Sequence, residues 1–392
     1  MKRSIFSYSA VVAAIVLSLP ACKKSAPQGD ASNSSGGASA GETIKIGEVG
    51  SMTGSEATFG SSTHQGIELA LKAANAAGGV NGKKLELVSM DDQGKTDEAA
   101  TAATKLITQN HVAALLGEVA SSRSLAMAPI AQQNKVPMVT PSSTNPKVTE
   151  MGDFIFRVCF IDPFQGTVMA KFASETLKAK KVALLRDVKS DYSMGLADFF
   201  KQSFEKMGGT VVVEQSYSSG DTDFKSQLTA IRGKGADAIY VPGYYTEVGL
   251  IARQARELGI TSPLMGGDGW DSPKLTEIGG KAIEGAYFSN HYSAEDQTPN
   301  VQEFIKTFKA AYGVIPDGLA AMGYDAALVL VDAMKRAKSP GGQDLRDALA
   351  QTKDYPAVTG KITINEKRDA VKSAVVVKVS GTDYKYVTTV NP

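Results

Sequence analysis

The sequence predicts an α/β protein of two lobes, each a parallel sheet with helices on both faces. Three observations carry this. From Ile44 onward, short apolar runs of strand character alternate with segments of helical spacing. The same alternation restarts at Lys181. The 392 residues are 43% hydrophobic and 21% charged, enough for a sizeable core and too long a chain for one small module.

In chain order, Ile44 to Val49 alternates like a strand, and Gln65 to Asn75 places Ile67, Leu69, Ala70, Leu71 and Ala74 on one helical face. Gly78-Gly79-Val80-Asn81-Gly82 holds an Asn-Gly tight-turn signal before a strand over Lys84 to Met90. A helix over Thr96 to Asn110, a strand over Val112 to Leu116, a helix over Arg123 to Asn134 and a strand over Val136 to Thr140 follow. This order argues for a parallel sheet covered on both sides. The second unit has strands at Lys181 to Leu185, Thr210 to Glu214, Ala238 to Val241 and Pro263 to Met265, with helices at Gly195 to Met207, Phe224 to Lys234 and Glu247 to Leu258. The chain leaves that unit near Phe288-Ser289-Asn290. It then passes through helices at Asn300 to Tyr312 and Gly318 to Lys338, and closes with Gly360 to Asn365 and a strand over Ala374 to Val379. A C-terminal third belonging to neither half alone implies several crossings between lobes.

Residues 1–21 carry a basic start at Lys2-Arg3, an apolar stretch from Ala10 to Leu17 too short to span a bilayer, and the small-residue site Leu19-Pro20-Ala21-Cys22, the marks of a secretory signal peptide. A cysteine directly after Leu-x-Ala resembles the bacterial lipoprotein processing box, which implies that Cys22 is lipidated. Residues 22–42 then form a polar tether with no apolar side chain larger than alanine or proline after the cysteine. With Cys22 acylated, Cys159 is the remaining thiol and no intramolecular disulfide is expected. Its apolar run, Phe154 to Phe160, marks it as a small buried hydrophobe rather than a nucleophile.

Forty-two basic residues against 41 acidic ones leave no field to attract nucleic acid or an anionic membrane. No Gly-x-Ser-x-Gly, His-Glu-x-x-His or Cys-x-x-Cys occurs, and His64, His111 and His291 are dispersed. The segment from Gly78 to Lys84 fails the phosphate-loop pattern, with Ala77 and Lys84 at required positions, and reads as a hairpin turn. Asp91-Asp92, at a strand end before Gln-Gly, read as turn and helix-cap carboxylates. No enzyme, cofactor or metal is predicted.

What the sequence does offer lies beyond the strand ends, where parallel sheets collect ligands and helix starts present N–H groups to anions. Gly117-Glu118-Val119-Ala120-Ser121-Ser122-Arg123-Ser124 follows one strand, and Pro141-Ser142-Ser143-Thr144-Asn145-Pro146 the next. Neighbouring strands would bring the Ser121 and Thr144 hydroxyls together as a carboxylate-sized site. The competing reading, weighed evenly, makes Ser121, Ser122, Thr144 and Asn145 helix caps. In the second lobe, Asp187 to Tyr192, Pro242-Gly243-Tyr244-Tyr245 and Gly266 to Asp271 also follow strands, with aromatics and one acid suited to an apolar group and a cation. For Tyr192, Tyr244 and Trp270 the alternative is lobe packing.

Gly60, Gly66, Leu69-Ala70, Asn75, Gly78 to Gly82, Leu85, Asp91-Asp92, Gly117 to Ser124, Val139 to Thr144, Phe156-Arg157, Asp223-Phe224, Gly243-Tyr244, Gln254-Ala255-Arg256 and Gly259 follow, in order, the pattern of the leucine/isoleucine/valine-binding periplasmic proteins of ABC importers. The resemblance spans Thr43 to Val379. It implies the type I periplasmic binding protein fold: two Rossmann-like lobes, three crossovers and a ligand cleft that closes by hinge motion. Lobe one would comprise 43–160 with 291–365, and lobe two 161–290 with 366–392. It also implies that Ser121, Ser142 and Thr144 hold a ligand carboxylate, with the Ser142 carbonyl and the Thr144 hydroxyl also taking the ammonium. Asp268 would complete the ammonium site, and Phe59, Tyr192 and Tyr244 would surround the ligand side chain, with Trp270 in the same loop as Asp268. Asp268 stands where leucine-binding relatives have Glu, Leu319 replaces a pocket aromatic, and Gln93 and Ala120 stand near the positions of a disulfide found in some relatives. The implied function is capture of an amino acid, branched-chain or aliphatic, for an inner-membrane ABC permease, by a monomeric periplasmic lipoprotein that meets the membrane only through its lipid. The alternative is a sensor of the same fold for an amide or small organic acid.

Overall fold

The computed structural model describes residues 43–392; the signal peptide, Cys22 and the tether lie outside the described residues. The first run of elements is β1 (Ile44–Gly50), α1 (Ala57–Ala76), β2 (Leu85–Asp91), α2 (Thr96–Thr108), β3 (Ala114–Leu116), α3 (Ser121–Gln133), β4 (Met138–Thr140), α4 (Lys147–Glu150) and β5 (Ile155–Arg157). All five strands are parallel, in the order β2-β1-β3-β4-β5. The chain crosses to α5 (Asp162–Lys171) and builds β6 (Lys181–Asp187), α6 (Asp191–Lys206), β7 (Thr210–Tyr217), α7 (Lys225–Arg232), β8 (Ala238–Tyr240), α8 (Tyr245–Glu257), β9 (Leu264–Gly266), α9 (Pro273–Gly279) and β10 (Tyr287–Asn290). These strands repeat the same order, β7-β6-β8-β9-β10.

A second crossing returns the chain to α10 (Pro299–Tyr312), α11 (Gly318–Arg336), α12 (Gly342–Ala350) and the small antiparallel sheet β11 (Tyr355–Ala357), β12 (Gly360–Ile364) and β13 (Ala370–Val371). A third leads to β14 (Ala374–Ser380) and β15 (Asp383–Val390), which extend the second sheet with antiparallel pairs beside β10. Two doubly wound sheets and three crossings are thus present.

The helices sit where burial drives them. One face of the first sheet packs Ile46, Leu116 and Phe156 against Ile67 and Leu71 of α1 and Met322, Ala326 and Leu330 of α11; the other packs Leu115, Met138 and Ile155 against α2 and α3. The second sheet is covered by α7 to α9 on one face and by α5 and α6 on the other. Each large apolar side chain fully buried this way contributes about 1.5–3 kcal/mol before entropy is counted.

Several expectations shift by a few residues. The first helix begins at Ala57 rather than Gln65, and the added turns bury Phe59, Gly60 and Thr63, with Gly60 so close to Ser51 that a Cβ would lie 2.3 Å from the Ser51 carbonyl oxygen. The Gly78 to Gly82 segment is the hairpin turn expected, with Val80 bridging to Lys83 and Asn81 and Gly82 both at positive φ. Neither Asp91 nor Asp92 caps α2. Asp91 accepts from the Met52 N–H and the Thr53 hydroxyl, organising the loop after β1, whereas Asp92 lies in a buried cluster with Ser51, Glu118 and Arg123. Cys159 is buried, and burial pushes its thiol up to about 12.

Candidate functional site

In a sheet of order 2-1-3-4-5 the connections after the first and third strands run to opposite faces, leaving a crevice between them. Each lobe has one. Phe59, on the first turn of α1, and Val119, in the loop after β3, flank the crevice of the first; Tyr192, on the first turn of α6, and Tyr244, the residue before α8, flank that of the second. The two crevices face each other. The Phe59 ring meets Tyr244 edge-on at 5.2 Å, and Tyr192 stacks on Tyr244 at 5.4 Å. Gly269 passes against both tyrosines, where a Cβ would lie 2.8 Å from Tyr244 and 3.1 Å from Tyr192, and its N–H donates to the Tyr192 hydroxyl. Burial pushes both phenols up, so they stay neutral.

Phe59, Val119, Ser142, Tyr192, Tyr244, Asp268, Gly269 and Leu319 enclose a cavity of about 10 Å³, room for one water. The lobes are closed on it. Thr58 and Ser272 share a hydroxyl hydrogen bond across the rim at 2.8 Å, Thr246 donates to the Ser55 carbonyl, and Ser122 donates to Asp191 at 2.8 Å.

Asp268 follows β9 on a short 3-10 turn and is buried. Its Oδ1 accepts from the Gln165 amide at 2.7 Å, and its Oδ2 from the Ser142 hydroxyl at 3.3 Å and from His291 Nε2 at 3.0 Å. Burial lowers the pKa of His291, so the ring is neutral and donates through Nε2 while stacking on Phe160 at 3.8 Å. A buried carboxylate is costly unless donors meet it, and here three do. The sequence reading missed Gln165 and His291, since both come from crossings whose destination is not written locally.

On the other wall, Ser121 opens α3, and its hydroxyl accepts from the Asn145 N–H. The first N–H groups of any helix lack intrahelical partners, so the start of α3 adds donors here. The Thr144 hydroxyl is buried without a well-formed partner, and Asp162, pushed up to about 8 by burial, is the acid it acts on. The cap reading fails for Ser121 and Ser122, because Ala120 precedes α3 without a side-chain cap. Asn145 is not the cap of α4 either, since Pro146 precedes that helix, but its side chain accepts from the Lys147 N–H in the turn leading into it. Asn145 also donates to the Asp191 carbonyl across the lobes. Buried Arg157 donates to the Ser143 and Asn145 carbonyls and pairs with Asp369 at 2.6 Å, which holds the hydroxyl loop in shape.

Six of the expected residues therefore line one cavity, and Ser121 and Thr144 do not line it. Trp270 does not reach it. The indole is fully buried in lobe two, donating to the Val241 carbonyl at 2.9 Å and packing on Phe288, because β9 turns at Gly266 directly against the ring. Among the described residues no group of three or more His, Cys, Asp or Glu is placed to hold a metal, and no helix is long and apolar enough to cross a membrane.

Twin α/β lobes closed on an apolar cavity, with an acid on one wall and hydroxyls on the other, define a two-lobed binding protein of the type I architecture. The pattern of the periplasmic binding protein family matches residues 43–383, and the chain belongs to that family. It is 34% identical over 333 residues to the leucine-, isoleucine-, valine-, threonine- and alanine-binding protein of Pseudomonas aeruginosa, covering 84% of this chain and 88% of that one. Among solved structures, the leucine-binding protein LivK of Thermotoga maritima superposes with a TM-score of 0.86 at 44% identity, covering 89% of this chain and 99% of that one. The branched-chain amino acid binding protein LivJ of Streptococcus pneumoniae, solved with isoleucine, superposes with a TM-score of 0.85 at 36% identity, covering 90% and 100%.

Proposed function

We propose that the protein is a non-enzymatic, extracytoplasmic solute-binding protein that captures a branched-chain or aliphatic amino acid and delivers it to an inner-membrane ABC permease. The observation that carries this is the cavity between the switch points. Once the lobes part to admit a ligand larger than the one water this cavity holds, Phe59, Val119, Tyr244 and Leu319 would wall an aliphatic side chain, Asp268 would meet an α-ammonium, and Ser142, with the Ser121 and Thr144 hydroxyls on the same lobe, would meet an α-carboxylate. Relatives that bind leucine, isoleucine and valine support it. Release requires the lobes, 43–160 with 291–365 and 161–290 with 366–392, to part about the three crossings. After removal of signal peptide 1–21, acylated Cys22 and the tether to residue 42 would hold a monomer at the membrane, with no cofactor. Mass spectrometry of the exported protein finding an unmodified amino terminus would remove the anchor from this reading.

One observation favours a second reading, a sensor for an amide or organic acid. Asp268 already has three neutral donors, so its burial does not by itself demand a cation. Titration calorimetry with isoleucine and with its des-amino analogue separates the two. Binding of isoleucine alone supports the amino-acid receptor; equal binding of the des-amino acid overturns it.

A further inference from the structure

A second and larger cavity, of about 440 Å³, opens where the 291–298 crossing meets both lobes. It is distinct from the cleft cavity, though two of its lining residues lie close in sequence to cleft residues: Asp271 two residues past Gly269, and Gly318 one residue before Leu319. Its apolar wall is made of Phe308, Val314 and Ile315, and the last two are over half exposed in a protein whose other apolar residues are mostly covered. Its polar wall holds Asp271, Asp317 and Tyr292. Asp271 is 2% exposed. Its Oδ2 is saturated by the Gly318 N–H at 2.6 Å and the Asn290 amide at 2.9 Å, whereas its Oδ1 has no hydrogen-bond partner. Independently, the Tyr292 hydroxyl, on a residue 5% exposed, also has none. Both residues line the cavity, and each keeps one polar atom that is itself buried and has no hydrogen-bond partner.

The charge around them has one sign. Asp271, Glu295, Asp317 and Asp383 line the cavity against one base, Lys385, which sits at the exposed rim already paired with Glu295 at 3.1 Å and Asp383 at 3.6 Å. What fits is a compact donor with a positive charge and an apolar body. We propose that this cavity is a second ligand site that takes a small primary ammonium compound, the Asp271 and Tyr292 side chains turning their unpaired oxygens toward its ammonium and its body lying against Phe308, Val314 and Ile315. Since Asp271 belongs to lobe two and Gly318 to the lobe-one helix α11, an occupant would touch both lobes. Burial first, and then Asp317, push Asp271 up to about 7, so near neutrality a bound cation displaces a proton from it. The other groups around Asp271 are Asp268 on its own turn, Tyr292 and Glu295 on the crossing, Asp317 at the start of α11, and Asp383, Tyr384 and Lys385 on β15.

The test is titration calorimetry of the whole protein with n-pentylammonium chloride, and with n-pentanol as the uncharged control. Expected are saturable binding of the ammonium and not the alcohol, tightening as pH rises through about 7 with proton release, and a loss of about tenfold or more in Asp271→Asn. Ser142→Ala, which alters the cleft and removes no charge from around Asp271, should leave it unchanged. Because Ile315 is exposed, Ile315→Ser preserves the fold, and it should weaken pentylammonium binding even if Asp271→Asn proves unstable. Absence of saturable binding, equal binding of pentanol, loss of binding in Ser142→Ala, or indifference to Ile315→Ser would each overturn the proposal.

Discussion

Asp268 and Asp271 stand three residues apart on one turn, both buried, and they face different cavities with opposite hydrogen-bond accounts. Asp268 receives donors on both oxygens from Ser142, Gln165 and His291, gathered from both lobes and a crossing. Asp271 has one oxygen saturated and one bare, with a second acid, Asp317, beside it. Burial alone does not decide which donors reach a carboxylate. Its neighbours do, and they differ because the turn sits at the seam where three crossings bring different segments to its two sides.

The largest effect that tests this comparison is on ligand binding. Asp268→Ala should weaken amino-acid affinity by about 2–5 kcal/mol, since it leaves the ligand ammonium buried without its counter-charge, and calorimetry reads it directly. A cost under about 0.5 kcal/mol would mean that the neutral donors, not the acid, define that wall. Next in size is Gly318→Ala, whose Cβ would lie 2.5 Å from Asp271 Oδ2 and 2.7 Å from Asn290 Oδ1. Overpacking there should remove about 1–3 kcal/mol of stability in urea unfolding; an unchanged midpoint would show that the Asp271 contact yields freely.

Titration gives a third and smaller contrast. A carboxyl raised from 3.8 to about 7 holds its proton in the folded chain and not in the unfolded one, so its burial costs stability as pH rises through that window. Between pH 6.5 and about 8, the protein free of ligand should lose about 1 kcal/mol through Asp271, with Asp92 and Asp162 adding losses of the same sign. Asp271→Asn should flatten its share of the slope in thermal melts. His291 acts oppositely and lower down, because its depressed pKa makes folding lose stability as pH falls below its ordinary 6.5. The smallest effect is expected from Gln165→Met, which deletes one neutral donor to Asp268 at similar volume. About 1 kcal/mol off ligand affinity with little change in melting would mark Gln165 as a positioning residue for the acid.

Much of this was legible in the sequence. Strands buried on both faces announce themselves as apolar runs, so β1, β3, β4, β6, β8 and β9 stand within a few residues of expectation. β15 does not, because as an exposed edge strand it has no apolar face to show. α12 is too short, and opens on too glycine-rich a stretch, to show a period. The hydroxyl loops and Asp268 follow strand ends, a local signal. The partners of Asp268 carry no such signal: Gln165 lies in α5, which the sequence reading left unassigned, and His291 looked like one of three dispersed histidines. Trp270 shares the loop of Asp268 but points into the core. Adjacency in sequence did not translate into adjacency to the cavity, because a single 3-10 turn rotates the chain away.

The packing of α1 against α11 sets an order on how the chain comes together. On that face of the first sheet α1 is present early, but the part covered by α11 stays open until residues 318–336 arrive, so a chain emerging amino terminus first exposes that apolar area while the whole second lobe is made. Contacts of such long sequence separation form late and slowly. The lobe with the earlier strands is therefore the one completed last, and the cleft, built from Phe59 at one end of the chain and Leu319 near the other, can report a ligand only once nearly all of the chain is in place.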